Sequence, residues 1–149
     1  MKQLTKTILF KQISKAEIEK FELNNDVILP DYLKDFFLKY NGSRIREHIY
    51  IYGGTEYGID IIPLIKNEFD TSVEDLLPWI RDEEFMIGRH DLIPFAFDSG
   101  SHPFLVSIGG DDKGVVYFSI VGFGEEKPLR KLADSFEEFI NGLKSEEEI

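Results

Sequence analysis

Between Glu84 and Val121 the chain breaks into four short apolar runs, Phe85–Ile87, Leu92–Phe97, Phe104–Ile108 and Val115–Val121. Gly88-Arg-His-Asp91, Asp98-Ser-Gly-Ser-His-Pro103 and Gly109-Gly-Asp-Asp-Lys-Gly114 stand between them. These clusters hold residues that accept turn geometry or hydrogen-bond their own backbone. Runs rich in β-branched and aromatic side chains with such breaks predict an antiparallel meander. The flanking segments are then read as elements that cover this sheet or hang from its edges.

At 149 residues one domain is expected, large enough to bury roughly 70% of its unfolded surface. Thirteen Phe, six Tyr and one Trp supply bulky core material. There are no cysteines, which excludes thiolate catalysis and disulfide staples. The N-terminus leads into no apolar signal core, and no run approaches the ~20 apolar residues of a membrane span. A soluble, cytoplasmic protein is the expectation.

The net charge is −11, and it is unevenly spread. Residues 1–50 carry +2, residues 51–112 carry −10 and residues 113–149 carry −3. Phosphate recognition needs a basic face, so direct nucleic-acid binding is not expected. A strongly acidic middle segment instead favours a basic protein partner through long-range attraction. The plainer reading is that acidic surface only keeps the protein soluble.

Ser14 and Glu17 have capping-box spacing, with Ile18 and Phe21 on one face of the helix that follows. A second helix follows Leu29-Pro30-Asp31; Leu33, Phe36, Phe37 and Tyr40 recur at i, i+3, i+4, i+7 before Asn41-Gly42 stops it. Ile49–Tyr52 reads as a strand ended by Gly53-Gly54, and Gly58–Ile65 as another that Pro63 confines to an edge or bulge. Thr71-Ser72 can open a helix, but Pro78 limits it to one turn or two, or to an irregular loop. Gly122–Pro128 reads as a loop. Ser135 and Glu138 repeat the capping spacing before Phe136, Phe139, Ile140 and Leu143, with Gly142 weakening the last turn and residues 144–149 fraying.

Candidate chemistry is weak. Asp98, Ser99, Ser101 and His102 are too close in sequence to converge as nucleophile, base and orienting acid, and no G-x-S-x-G elbow is present. A turn-stabilising role for Asp98 and Ser99 is expected. His90, Asp91, Asp98 and His102 lack any spacing that forces a shared metal face. Gly109–Gly114 lacks the alternating carboxylates of a calcium loop and reads as a hairpin turn. Gly122-Phe-Gly124 is a fragment of a phosphate loop without its Lys-Ser/Thr. No catalytic residue, cofactor or metal is assigned, and an enzyme is not expected.

Four segments in order carry a family resemblance. They are Leu29-Pro-Asp-Tyr-Leu33 with Asn41-Gly42, Ile93-Pro-Phe-Ala96 with Asp98-Ser-Gly100, Gly114-Val-Val-Tyr117, and Leu132-Ala133 with Ser135-Phe136 and Phe139. Together they resemble the SUKH superfamily of bacterial immunity proteins, which also includes a fungal cell-wall synthesis regulator. The likeness spans nearly the whole chain; Ser101-His102 departs from it, where many members place an acidic residue or Asn. The resemblance implies a single α+β domain. Its mainly antiparallel sheet, of about six strands, is covered by N-terminal helices and a C-terminal helix.

The resemblance also implies a binding role, since members neutralise a cognate toxin, frequently a nuclease. The motif residues read as helix starts, turns and core, so partner-reading residues lie elsewhere. The acidic stretch before the meander is the expected surface: Glu68, Asp70, Glu74, Asp75, Asp82, Glu83 and Glu84, with Trp79 as anchor. A non-enzymatic regulatory scaffold is the alternative, and a monomer or weak homodimer is expected.

Overall fold

The computed structural model describes residues 1–8, 11–83, 87–120 and 129–149. The chain opens with β1 (Lys6–Ile8) and then α1 (Lys15–Asn25). Ser14 starts α1 with a reciprocal cap: its Oγ accepts from the Glu17 amide at 3.2 Å, and Glu17 Oε1 accepts from the Ser14 amide at 3.2 Å. This satisfies two amides that lack helical partners. In α2 (Asp31–Tyr40), Pro30 is the N-cap, and Leu33, Phe36, Phe37 and Tyr40 are the buried stripe. The chain leaves α2 through Gly42, whose φ of 65° suits a residue without a Cβ.

Next come β2 (Arg44–Ile45), β3 (Ile49–Tyr52), β4 (Thr55–Gly58) and β5 (Asp60–Ile61). Strands β1 and β2 pair with each other, as do β3 and β4, all antiparallel. Gly53 and Gly54 both have positive φ, 59° and 79°, the requirement of a tight turn that matches strand twist. Strand β5 ends before Pro63 and lies at the edge of the main sheet, where a missing amide does least harm.

Helix α3 (Val73–Arg81) is capped by Ser72 and Asp75, and Pro78 sits inside it. Its nine residues make about two and a half turns, longer than Pro78 suggested. The apolar positions Val73, Leu77 and Ile80 are fully buried, and that burial outweighs the one helical bond a proline removes.

The meander forms as β6 (Leu92–Phe97), β7 (Pro103–Ser107) and β8 (Val116–Ser119), and β9 (Leu129–Ala133) completes the five-stranded order β5-β6-β7-β8-β9. The first expected run is not a strand at Ile87, while Phe85 and Met86 lie outside the described residues. At Gly88 the chain turns with φ 74°, and its amide donates to Ile80 O at 2.9 Å. It thus packs on the end of α3 instead of extending. Strand β9 escaped the sequence reading because Arg130 and Lys131 interrupt its apolar pattern, a composition typical of protected edges. The loop expected at Gly122–Pro128 lies outside the described residues.

Two faces of this sheet are covered. On one, Phe95, Phe104, Val116 and Phe118 meet Phe36 and Phe37 of α2 and, in α4 (Phe136–Asn141), Phe136 and Phe139. Phe95 alone has ring contacts with Phe36, Phe104, Phe136 and Phe139 at 5.1 to 6.5 Å. On the other, Ile80 of α3 packs with Leu92 and Leu105, joined by the partly buried Leu76, Ile87, Tyr117 and Leu129. The architecture is therefore α+β with a mainly antiparallel sheet, but with nine strands among the described residues rather than six.

The β3–β4 hairpin lies beside β9 through side chains. Tyr50 donates its hydroxyl to Leu132 O at 2.9 Å, and Arg130 Nη1 donates to Tyr57 Oη at 2.8 Å. The last residues, expected to fray, are tied in. Lys144 and Ile49 exchange two backbone bonds of 2.8 and 3.0 Å, and Glu146–Glu148 form a 3-10 turn capped from Ser145.

Candidate partner-binding surface

Helix α3 is buried on one side only, and its period decides which acidic residues face outward. Val73, Leu77 and Ile80 point inward, so Asp75, Pro78, Trp79 and Asp82 fall on the opposite side, and all four are exposed. Trp79 is 44% exposed, although large aromatic side chains are usually more deeply covered. Asp75 also serves the helix start, where Oδ2 accepts from the amide and hydroxyl of Ser72 at 2.9 Å each. Glu83 follows the helix, exposed, with Gly88 packed close to its backbone.

Glu74 lies on a different side. Its carboxylate accepts from Lys66 N at 3.0 Å and from Asn25 Nδ2 at 2.8 Å, and Asn25 O accepts from Arg81 Nη1 at 2.9 Å. These bonds lock α3 to the end of α1, so Glu74 has a structural task. Glu68 and Asp70 are exposed in the loop before α3, which is shaped by Asn67: its Oδ1 accepts from the amides of Phe69 and Asp70 at 2.8 Å each. Glu84 lies outside the described residues.

Between Glu68 and Asp70, Phe69 is 82% exposed. The sequence reading did not single it out. The signal available was a lone aromatic in an acidic, Asn-containing turn with only polar residues within three positions on either side.

The other candidates resolve into structure. Asp98 Oδ1 accepts from the amides of Gly100 and His102 at 2.9 and 2.8 Å, and its carboxylate lies 3.2 Å from His102 Nδ1. The hairpin tip Gly109–Gly114 is tied instead to Arg89, which contacts both Asp91 and Asp112. Ser107 Oγ and the Tyr117 hydroxyl donate to Asp112 as well. Hydrogen bonds from Arg89, ahead of burial that opposes them, hold the Asp112 carboxyl well below the usual carboxylate range. Among the described residues no group of three or more His, Asp or Glu side chains is placed to hold a metal ion.

The sequence profile of the SMI1 / KNR4 family (SUKH-1) matches residues 12–142 of the chain. The chain belongs to that family. No individually curated protein matches it. The SUKH motif residues occupy structural positions here. Leu29, Leu33, Ile93, Phe95, Ala96, Val116, Phe136 and Phe139 are buried core, and Gly42 and Gly114 take positive φ of 65° and 93°. Asn41, 2% exposed, bridges two segments: Nδ2 donates to Lys11 O at 2.8 Å, and Oδ1 accepts from Leu64 N at 2.7 Å. What the motifs preserve in this SUKH chain is the scaffold, while the exposed side of α3 lies outside them.

Proposed function

We propose that this protein is an immunity protein that binds and neutralises a cognate toxin, a nuclease with a basic active-site cleft. It acts by binding rather than catalysis, in the cytoplasm, where such a toxin would reach nucleic acid. Membership of the SMI1 / KNR4 family (SUKH-1) supports the immunity class. The observation that carries the choice of surface is the exposed side of α3, where Trp79 stands between Asp75 and Asp82. A nuclease must offer positive charge to phosphate, so an acidic ridge with an aromatic anchor competes for the same cleft. Charges at the rim raise the association rate, whereas a contact that becomes fully desolvated contributes about 2–5 kcal/mol by truncation.

The test begins with the full chain as bait in a lysate of its native host. Captured protein is identified by mass spectrometry and assayed for nuclease activity with and without the bait. The triple variant Asp75→Lys, Asp82→Lys, Glu83→Lys should lose capture. Unchanged capture at low salt would reject this surface. A captured partner without toxin activity would reject the immunity reading in favour of a regulatory scaffold.

A further inference from the structure

Residues 43–49 alternate in burial. Ser43, Ile45, Glu47 and Ile49 are buried, Arg44 and Arg46 are exposed, and His48 is half-exposed. Arg44, Arg46 and His48 line one cleft of about 530 Å³, together with Asp60, Glu146 and Glu147. The order of charge along this cleft follows from the fold. The backbone bonds between Lys144 and Ile49 bring the C-terminal turn to the His48 end, where His48 Nε2 lies 3.6 Å from Glu146 Oε1. Glu146 and Glu147 therefore lie at the His48 end, while Arg44 and Arg46 bring positive charge toward the other end, reduced by Asp60, which shares its lining with Arg44.

Neither Arg44 nor Arg46 forms an ion pair among the described residues, and neither does Glu147. The chain has 28 acidic side chains against 17 basic ones, so two neighbouring arginines that form no ion pair among the described residues, even with Asp60 in the same cleft, stand out. The Glu146 side chain touches His48 but is 79% exposed, which leaves most of it open to another molecule. A strip that is positive at one end and negative at the other is complementary to itself when turned by a two-fold axis, because each end then meets its opposite.

We propose that this cleft is the interface of a weak, two-fold symmetric homodimer. Arg44 and Arg46 of each copy receive Glu146 and Glu147 of the other. The guanidinium fork suits bidentate contact with carboxylates. The net charge of −11 on each copy opposes association at very low salt. At about 0.15 M salt that repulsion is screened beyond about 8 Å, while pairs in contact persist. The surface is separate from the exposed side of α3 and does not depend on the toxin reading.

Sedimentation velocity on the full chain at about 0.15 M salt, over a concentration series reaching millimolar, tests this. The wild type should shift from monomer to dimer. Arg44→Glu with Arg46→Glu should abolish self-association, and so should Glu146→Arg with Glu147→Arg. An equimolar mixture of the two double variants should form a heterodimer, since both arms of the interface are then restored with the total charge of the wild-type dimer. Circular dichroism of each variant excludes misfolding, and recovery in the mixture requires folded chains. A wild type that stays monomeric, a double variant that still dimerises, or a mixture that remains monomeric would each overturn the proposal.

Discussion

Arg89 grips Asp112 with both ends of its guanidinium, Nη1 to Oδ2 at 2.8 Å and Nη2 to Oδ1 at 2.9 Å. Through Nε and Nη2 it also reaches Asp91 at 2.9 and 3.0 Å. The segment before β6 is thereby clamped to the β7–β8 hairpin tip. Asp112→Asn should keep the shape and lose the charge, leaving Arg89 with a weaker acceptor. We expect a loss of about 2 kcal/mol in urea unfolding, with an unchanged slope. A midpoint equal to the wild type would mean that the clamp is slack.

Acid should undo the same clamp. The Asp112 carboxyl is depressed by Arg89. Burial of Glu47 opposes its ionisation, yet bonds from the amide and hydroxyl of Thr5, with its own amide and the Lys2 charge, together lower its pKa as well. A depressed carboxyl stabilises the fold fully above its unfolded pKa, about 4, and that contribution is lost as pH falls through the folded value. Stability should be level above about pH 5 and decline below it, and Asp112→Asn should decline less steeply. Parallel curves for the two proteins, measured by thermal unfolding, would refute the assignment.

Asn41 has no room for a changed partner. Asn41→Asp would set a carboxylate oxygen against the Lys11 carbonyl while the site stays buried. A loss of about 1–3 kcal/mol is expected from the unmet polar group. In Asn41→Leu, which removes the oxygen that Asp would keep, hydrogen exchange at the Leu64 amide should accelerate, since that amide donates to Asn41 Oδ1. Unaltered exchange would place the support elsewhere.

Gly142 illustrates close approach. A Cβ there would stand 2.9 Å from Tyr50 Cε1, and the Tyr50 ring is stacked on Phe139 at 4.4 Å. Gly142→Ala should cost about 1–3 kcal/mol through overpacking, even though alanine favours helix. Tyr50 ring resonances should shift by NMR; a stabilised protein would show that the ring can retreat.

Trp79→Ala separates folding from recognition. As an exposed residue it should change stability by no more than about 0.5 kcal/mol while reducing capture of the partner. Full capture would remove Trp79 from the surface.

The helices were the most legible part of the chain. Ser14 with Glu17, and Leu33 with Phe36, Phe37 and Tyr40, are local patterns whose physics operates within one or two turns. The strands of the meander were legible where apolar runs were continuous, as in Leu92–Phe97. Strand β9 was not, because an edge strand needs only one apolar side and carries charges on the rest. The attachment of Lys144 was illegible for a related reason: its backbone bonds to Ile49 give no signal in the residues that make them.

The acidic segment divided in the same way. Composition by itself established an acidic middle and a chain without cysteine, and motif order established the family. Only tertiary packing decided that Glu74 turns inward to Asn25 and Lys66 while Asp75, Trp79 and Asp82 face out. Composition counts charges, but the direction of each side chain is set by which face of α3 the sheet buries. Arg89 belongs to the same class: Asp91 is a local partner, but Asp112 meets Arg89 only because a hairpin folds back, and that closure is a property of the whole chain.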